Sequence, residues 1–254
     1  MKKIAVVTGA SSGMGRDFVL AVDREFRPQE IWVIARREDR LLALQEQVQA
    51  VIVPFAMDLS RDESFRRYRE ALEQEQPEIA VLVNAAGYGK FTPFTEMDLS
   101  SQLGIVELND RAITAMCHMS LPYMHPGSKI INLGSNSAWQ PVPYMSVYGA
   151  SKAYVLSFSR ALGRELKSRD IQVLCVCPGW VKTEFMDRAV HDNTVSFYDR
   201  WYESKDVVEK AMRDLRKGKT VSILGFPVRM QVRLVKLLPV RTIMNIWCRQ
   251  QKKP

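Results

Sequence analysis

The stretch Thr8-Gly9-Ala10-Ser11-Ser12-Gly13-Met14-Gly15 decides how this 254-residue chain is read. A short apolar run, residues 4–7, leads into it, and an amphipathic helical pattern leads out. Glycines at such a junction let the chain turn tightly and let its backbone approach a ligand with no Cβ in between. They also let the following helix pack closely on the strand. The N–H groups exposed at the helix start then suit an anion. A glycine cluster alone is a weak signal. Between a first strand and a first helix it is a strong one, with an ordinary tight turn as the competing reading.

Working outward, residues 4–7, 31–35, 51–55, 79–83, 129–133, 172–176 and 221–224 read as seven strands. They are nearly continuous in Val, Ile and Leu, as expected when both faces of a parallel sheet are covered. Helical patterns lie between them. Arg40-Leu41-Leu42-Ala43-Leu44 suggests one, and Ser60-Arg61-Asp62-Glu63 reads as a capping box opening another before Phe65 and Tyr68. This alternation predicts an α/β fold in one domain, a doubly wound seven-stranded parallel sheet with helices on both faces, over residues 1–225. Residues 226–254 differ in character. Arg229, Arg233 and Lys236 recur at helical spacing beside Met230, Leu234 and Leu237. Pro239 interrupts, and a second amphipathic piece carries Ile243, Met244, Ile246 and Trp247. The stretch is expected to be a basic amphipathic extension of the same domain.

Composition excludes several classes. With 46% hydrophobic residues the chain is not disordered. No apolar run approaches the ~18 residues that cross a bilayer, and the run after Met1-Lys2-Lys3 breaks at Thr8-Gly9, too early for a secretory signal. The four Cys (Cys117, Cys175, Cys177, Cys248) are too sparse for a disulfide scaffold. The three His show no metal-ligand spacing, so no metal is expected. A reduced, cytoplasmic protein is the expectation. Residues 215–254 hold ten basic residues and no acidic one, so the preceding 214 carry −2 of the overall +8. The basicity belongs to the C-terminal stretch.

The glycine spacing is G-x-x-x-G-x-G. Asp58-Leu59 follows the third strand, Asn84-Ala85-Ala86-Gly87 the fourth, and Asn109, Ser135, Tyr148-Gly149-Ala150-Ser151-Lys152 and Pro178-Gly179 come in order after them. In these motifs, spread over residues 4–225, the chain resembles the short-chain dehydrogenase/reductase family. The resemblance implies a Rossmann fold whose dinucleotide lies against Gly9, Ser11, Ser12, Gly13, Met14 and Gly15, with Asp58, Leu59, Asn84, Ala85, Ala86 and Gly87 beside it. Tyr148, Lys152, Pro178, Gly179, Val181 and Thr183 would flank the nicotinamide. At the end of the second strand, where an acid would bond a ribose 2′-hydroxyl, the chain reads Ala35-Arg36-Arg37-Glu38. Guanidinium groups there suit a 2′-phosphate, so NADP(H) is expected in preference to NAD(H).

Tyr148 and Lys152 stand four apart at a helix start and share a face. A tyrosine of ordinary pKa ~10 is protonated at neutral pH. A nearby ammonium and an oxidised nicotinamide would bring that value down and let Tyr148 act as general acid and base. The resemblance implies that Ser135 orients the substrate oxygen, that Lys152 also binds the nicotinamide ribose, and that Asn109 holds a relay water against the lysine. Asp110 stands where the family has an apolar residue. The expected reaction is reversible hydride transfer between NADP(H) and a carbonyl/alcohol carbon. The aromatic residues Trp139, Phe185 and Tyr198, with Met186, Phe197, Trp201 and Tyr202, fall where the family's substrate cleft lies, and suit an apolar ketone, steroid-like or acyl substrate. A dinucleotide-sensing binding protein on the same scaffold is the alternative. The resemblance also implies a homodimer or homotetramer. For residues 226–254 three readings stay open: a solvated cap, a surface lying peripherally on anionic membrane, and a contact with another copy or an acidic carrier. With no binding module beside the basic residues, nucleic acid is not expected.

Overall fold

The computed structural model describes residues 1–190 and 194–253. Seven parallel strands form one sheet: β1 (Lys3–Thr8), β2 (Glu30–Ala35), β3 (Val51–Ala56), β4 (Glu78–Asn84), β5 (Lys129–Leu133), β6 (Gln172–Val176) and, later in the chain, β9 (Val221–Ser222). Their order is β3-β2-β1-β4-β5-β6-β9. It reverses between β1 and β4, which opens a crevice at the carboxyl ends of those two strands.

Alternate residues of each strand serve opposite cores, because side chains on a strand point alternately to its two faces. Ile4, Val6, Trp32 and Ile34 face a layer built from α3 (Asp62–Glu75), α5 (Ala112–Ser120) and α6 (Ser146–Glu165). Ala5, Val7, Ile31 and Val33 face α1 (Gly13–Phe26), α2 (Glu38–Leu42) and α8 (Ser204–Arg216). The two layers explain why every strand reads apolar along its length. Asp214 pins the last strand: its carboxylate accepts from Ser222 Oγ and pairs with Lys210 and Lys219.

One local expectation fails, and one element comes without a sequence signal. The helix after β3 starts at Asp62, with Arg61 at its N-cap and no side-chain cap. Ser60 is recruited instead by Asp58, whose Oδ1 accepts from both its N–H (3.0 Å) and its hydroxyl (2.8 Å). The Asx turn outcompetes the capping box. A separate two-stranded parallel pair, β7 (Trp180–Lys182) and β8 (Trp201–Glu203), was not signalled by the sequence; between them lies α7 (Glu184–Ala189).

The C-terminal stretch folds as α9 (Phe226–Val235) and α10 (Val240–Gln250), with Pro239 at the N-cap of α10. It is docked rather than loose. Trp247 Nε1 donates to Pro143 O (3.0 Å), and Gln251 Oε1 accepts from Ser196 N–H and Phe197 N–H. No helix among the described residues is long and apolar enough to cross a membrane.

Candidate active site

A cleft of about 1030 Å³ lies at the point where the strand order reverses. Its floor at one end is the glycine loop. Gly9 has φ +68°, and a Cβ on it would stand 2.7 Å from Ala86 N, so only glycine lets the loops after β1 and β4 meet. Thr8 fastens that junction, its Oγ1 accepting from Ala85 N–H and Ala86 N–H at 3.0 Å each. Ser12 precedes α1 without a side-chain cap. The N–H groups of the first helical turn therefore have no side-chain acceptor, and Ser11, Ser12, Gly13, Met14 and Gly15 line the cleft. This is an uncapped helix start able to receive a phosphate.

Cations gather beside it. Arg36 and Arg37 line the cleft, as does Arg188 from α7. Arg37 donates to Ser11 Oγ (3.1 Å) and pairs with Glu184 (2.8 Å), which also holds Arg40. The Arg40 and Arg37 guanidiniums hold the Glu184 carboxyl down at about 2. Burial and then the charges of Arg36 and Arg37 lower the Arg188 pKa. Glu184 thus pairs with two guanidiniums, Arg37 and Arg40, and its charge also acts on a third, Arg188. Asp58 and Leu59 line the cleft nearby. Burial would raise Asp58, but the N–H and hydroxyl of Ser60 and the charge of Arg36 hold it below its ordinary value.

At the other end Tyr148 projects from the first turn of α6, buried, with Lys152 one turn on. Lys152 Nζ lies 5.7 Å from the Tyr148 ring centroid and donates to Leu133 O (2.8 Å). Ser135, just past β5, accepts from Ser137 N–H (3.1 Å) and donates to Asn136 Oδ1 (3.3 Å), with its hydroxyl close enough to act on the Tyr148 phenol. Burial pushes the Tyr148 phenol up to about 12, only partly countered by Ser135, and pulls Lys152 down to about 8. The expected lowering of Tyr148 by the ammonium is therefore outweighed. Desolvation of a fully enclosed phenol is the larger effect.

Asn109 sits behind this pair in a π-helical turn, Glu107–Arg111, between α4 (Leu99–Val106) and α5. Its amide clasps Tyr88 both ways, Nδ2 to Tyr88 O (3.0 Å) and Tyr88 N–H to Oδ1 (3.1 Å), and reaches Ser151 Oγ (2.9 Å). A Cβ on Gly87 would meet both Asn109 Oδ1 and Lys152 Nζ, so the two side chains flank one small space.

Other expected residues fall as follows. Ala85, Ala86, Gly87, Pro178, Gly179, Val181 and Thr183 line the cleft. Asn84 does not: buried between β4 and β5, it donates to Asn132 Oδ1 (2.8 Å) and serves the sheet. Phe185 is on the cleft wall, its ring 5.5 Å from that of Tyr148. Trp139 and Tyr198 stand behind the wall. Trp139 is sandwiched between Arg160 (4.5 Å) and Lys236 (4.2 Å), and Tyr198 packs edge-on against Trp180 (4.8 Å).

The sequence reading also missed lining residues. Phe91 packs on the Tyr148 ring (6.1 Å), and Met230, Leu234, Leu238 and Ile246 bring α9 and α10 onto the substrate side. Only the helical spacing of those apolar residues signalled that the extension covers something.

An uncapped helix start at a strand-order reversal, opening into a cleft that ends on a buried Tyr–Lys–Ser cluster, defines a nicotinamide-dependent oxidoreductase of the Rossmann type. Comparison with known proteins narrows the class. The short chain dehydrogenase family matches residues 3–194, and the chain belongs to it. Sulfoacetaldehyde reductase 2 of Chromohalobacter salexigens is 33% identical over 193 residues, covering 73% of this chain and 75% of that protein. The 11-beta-hydroxysteroid dehydrogenase 1A of Arabidopsis thaliana is 28% identical over 98% of this chain and 67% of its own. A short-chain dehydrogenase from Sphingobium yanoikuyae, solved with NADPH, superposes with a TM-score of 0.79 at 26% identity, covering 96% and 95% of the two chains.

Proposed function

We propose that this protein interconverts a carbonyl and an alcohol carbon of an apolar substrate with NADP(H), Tyr148 serving as general acid and base. The observation that carries the proposal is the buried convergence of Tyr148, Lys152 and Ser135 at the apolar end of a cleft whose other end is an anion cradle. When bound, the reduced nicotinamide supplies a hydride and its oxidised form accepts one. The residues do the rest. Ser135 orients the substrate oxygen, and Tyr148 gives that oxygen a proton in reduction or takes one in oxidation. Lys152, beside the phenol, favours its deprotonated form and is placed to meet the ribose. Asn109 fixes the π turn behind Lys152. Phe91, Phe185 and the α9–α10 residues exclude water.

NADP(H) preference is supported by Arg36, Arg37 and Arg188 around the end of β2, whose last residue is Ala35 rather than an acid. Guanidiniums bond a 2′-phosphate through charge and paired donors. The NADPH carried by the Sphingobium structure agrees. Apolar lining supports an apolar substrate, in the direction of the steroid dehydrogenase relative rather than sulfoacetaldehyde. Self-association is proposed through α4 and α6, where Phe94, Leu99, Leu103, Val106 and Tyr154 are exposed. Only four cysteines occur in 254 residues and three of them are buried in the core, which suits a reducing, cytoplasmic setting.

The test is fluorescence titration with NADPH and NADH, followed by a panel of apolar ketones monitored at the nicotinamide absorbance. Tighter NADPH binding and turnover of a ketone are expected. NADPH binding with no turnover across the panel would turn the reading toward a nucleotide sensor.

A further inference from the structure

We propose that α9 and α10 form a docking surface for an anionic lipid bilayer, and that the cleft receives its apolar substrate directly from that bilayer. Three observations converge on it. Residues 226–253 carry Arg229, Arg233, Lys236, Arg241, Arg249, Lys252 and Lys253 and no acidic residue. None of these seven pairs with a carboxylate among the described residues, whereas Arg37, Arg40, Arg111 and Lys210 elsewhere all do. Large apolar side chains stand in solvent on the same two helices and their turn: Leu237 is 80% exposed, Phe226 65% and Val240 53%.

The third observation ties the surface to the site. Leu234, Leu238 and Ile246 line the cleft and are themselves about half exposed, so the mouth of the cleft opens among them. Cations beside protruding leucines match an interface where anionic headgroups overlie hydrocarbon. A nucleic acid backbone would use the cations and leave Leu237, Val240 and Phe226 wet. The protruding turn around Leu237 calls for a partner that deforms around it, which a fluid bilayer does. A substrate dissolved in that bilayer would then reach Tyr148 along an apolar path, with Met230 and Phe185 on its walls. This substrate half rests on the carbonyl-reductase reading; the docking half does not.

The experiment is co-sedimentation of the full chain with phosphatidylcholine vesicles, with and without phosphatidylglycerol. The chain is expected to partition onto anionic vesicles at least ~10-fold better than onto neutral ones, with salt weakening the binding. Leu237→Glu, outside the cleft, and the double reversal Arg233→Glu/Arg241→Glu should each lower partitioning at least ~10-fold. Unchanged melting temperatures would show that both variants fold. Equal partitioning onto the two vesicle types overturns docking. So does loss with the charge reversal but not with Leu237→Glu, which would mark an acidic protein surface instead. A fall in solution mass for Leu237→Glu without vesicle binding would assign the patch to a second copy and also overturns it. For the substrate half, a long-chain ketone dissolved in the anionic vesicles should be reduced faster by the parent than by Leu237→Glu, while a water-soluble ketone is reduced equally. No difference on the dissolved ketone overturns entry from the bilayer. No turnover of either ketone counts against the proposed reaction and leaves the vesicle result standing.

Discussion

Burial acts on Tyr148 and Lys152 in opposite directions, raising the phenol to about 12 and lowering the ammonium to about 8. A phenol this reluctant to ionise suits the direction in which it gives up its proton only to a developing alkoxide. Ketone reduction should therefore stay flat up to neutral pH, begin to fall as Lys152 loses its proton near 8, and fall further at strongly alkaline pH. Alcohol oxidation should instead climb as the phenol ionises; initial rates in both directions check this. Tyr148→Phe removes the transferable proton and little volume. It should cut turnover at least ~10²-fold while NADPH fluorescence titrations stay within a few fold of the parent. Loss of both together would deny the tyrosine its assigned role. Arg36→Asp places an acid where a 2′-phosphate would lie and should lower the NADPH-to-NADH affinity ratio at least ~10-fold, read by the same titration. An unchanged ratio would move the phosphate contact to Arg188. That Ser135, Tyr148, Lys152 and Arg36 would share one cleft was legible because residue types at such spacing in a βα-alternating chain converge at the strand ends. Glu184 and Arg188 were not legible, since the Glu184 partners Arg37 and Arg40 lie 144 or more positions away in sequence and only the fold brings α7, which carries both residues, to them.

Among the elements, all seven sheet strands were legible because two buried faces demand continuous apolar runs. The β7–β8 pair escaped for the opposite reason: Trp201 and Glu203 are exposed and Tyr202 half-buried, so no periodic pattern marks β8. Asn84 is the expected cofactor neighbour that the structure places off the cleft wall: a buried amide bridging β4 to β5 has the same sequence signature as one facing a ligand. The π-helical turn is where a local cost becomes visible. It aims Asn109 inward and also buries Asp110 Oδ1 without a hydrogen-bond partner. Burial raises the Asp110 carboxyl to about 6, against a pull in the other direction from Lys152. The folded protein thus binds a proton more tightly than the unfolded chain does, so this group's contribution falls as pH rises from about 4 to about 6. Asp110→Asn should remove that loss. Its advantage over the parent in urea unfolding should grow across that interval and level off above it at about 1 kcal/mol, after discounting for solvent around a half-buried group. A constant difference between the two proteins from pH 4 to pH 8 would mean that Asp110 is not the group responsible.

At the scale of the whole molecule, the apolar surface left uncovered falls into two patches with different neighbours. One, on α9 and α10, is set among cations that pair with no carboxylate among the described residues. The other spans α4 and α6, where Leu99, Leu103, Val106 and Tyr154 are exposed beside Phe94. Here most nearby charges are paired, Arg111 with Glu107 and Asp62 and Lys90 with Asp98, and the half-buried Asp110 is the one described carboxylate in the groove between the helices. A largely apolar face with few unpaired charges is best covered by its own copy across a two-fold axis, since each leucine then meets an apolar partner. The same face backs the site. Ser151 and Asn109 lie one layer beneath it, so pairing would stiffen the turn that carries Tyr148. Leu103→Glu puts a charge at the centre of such a contact and faces neither the cleft nor the core. Light scattering should show the parent as a dimer or larger and the variant as a single chain, with a melting temperature that becomes lower and independent of protein concentration. A parent that scatters as a single chain would remove the self-association proposal and leave this face without an assigned role, whatever becomes of the cationic patch.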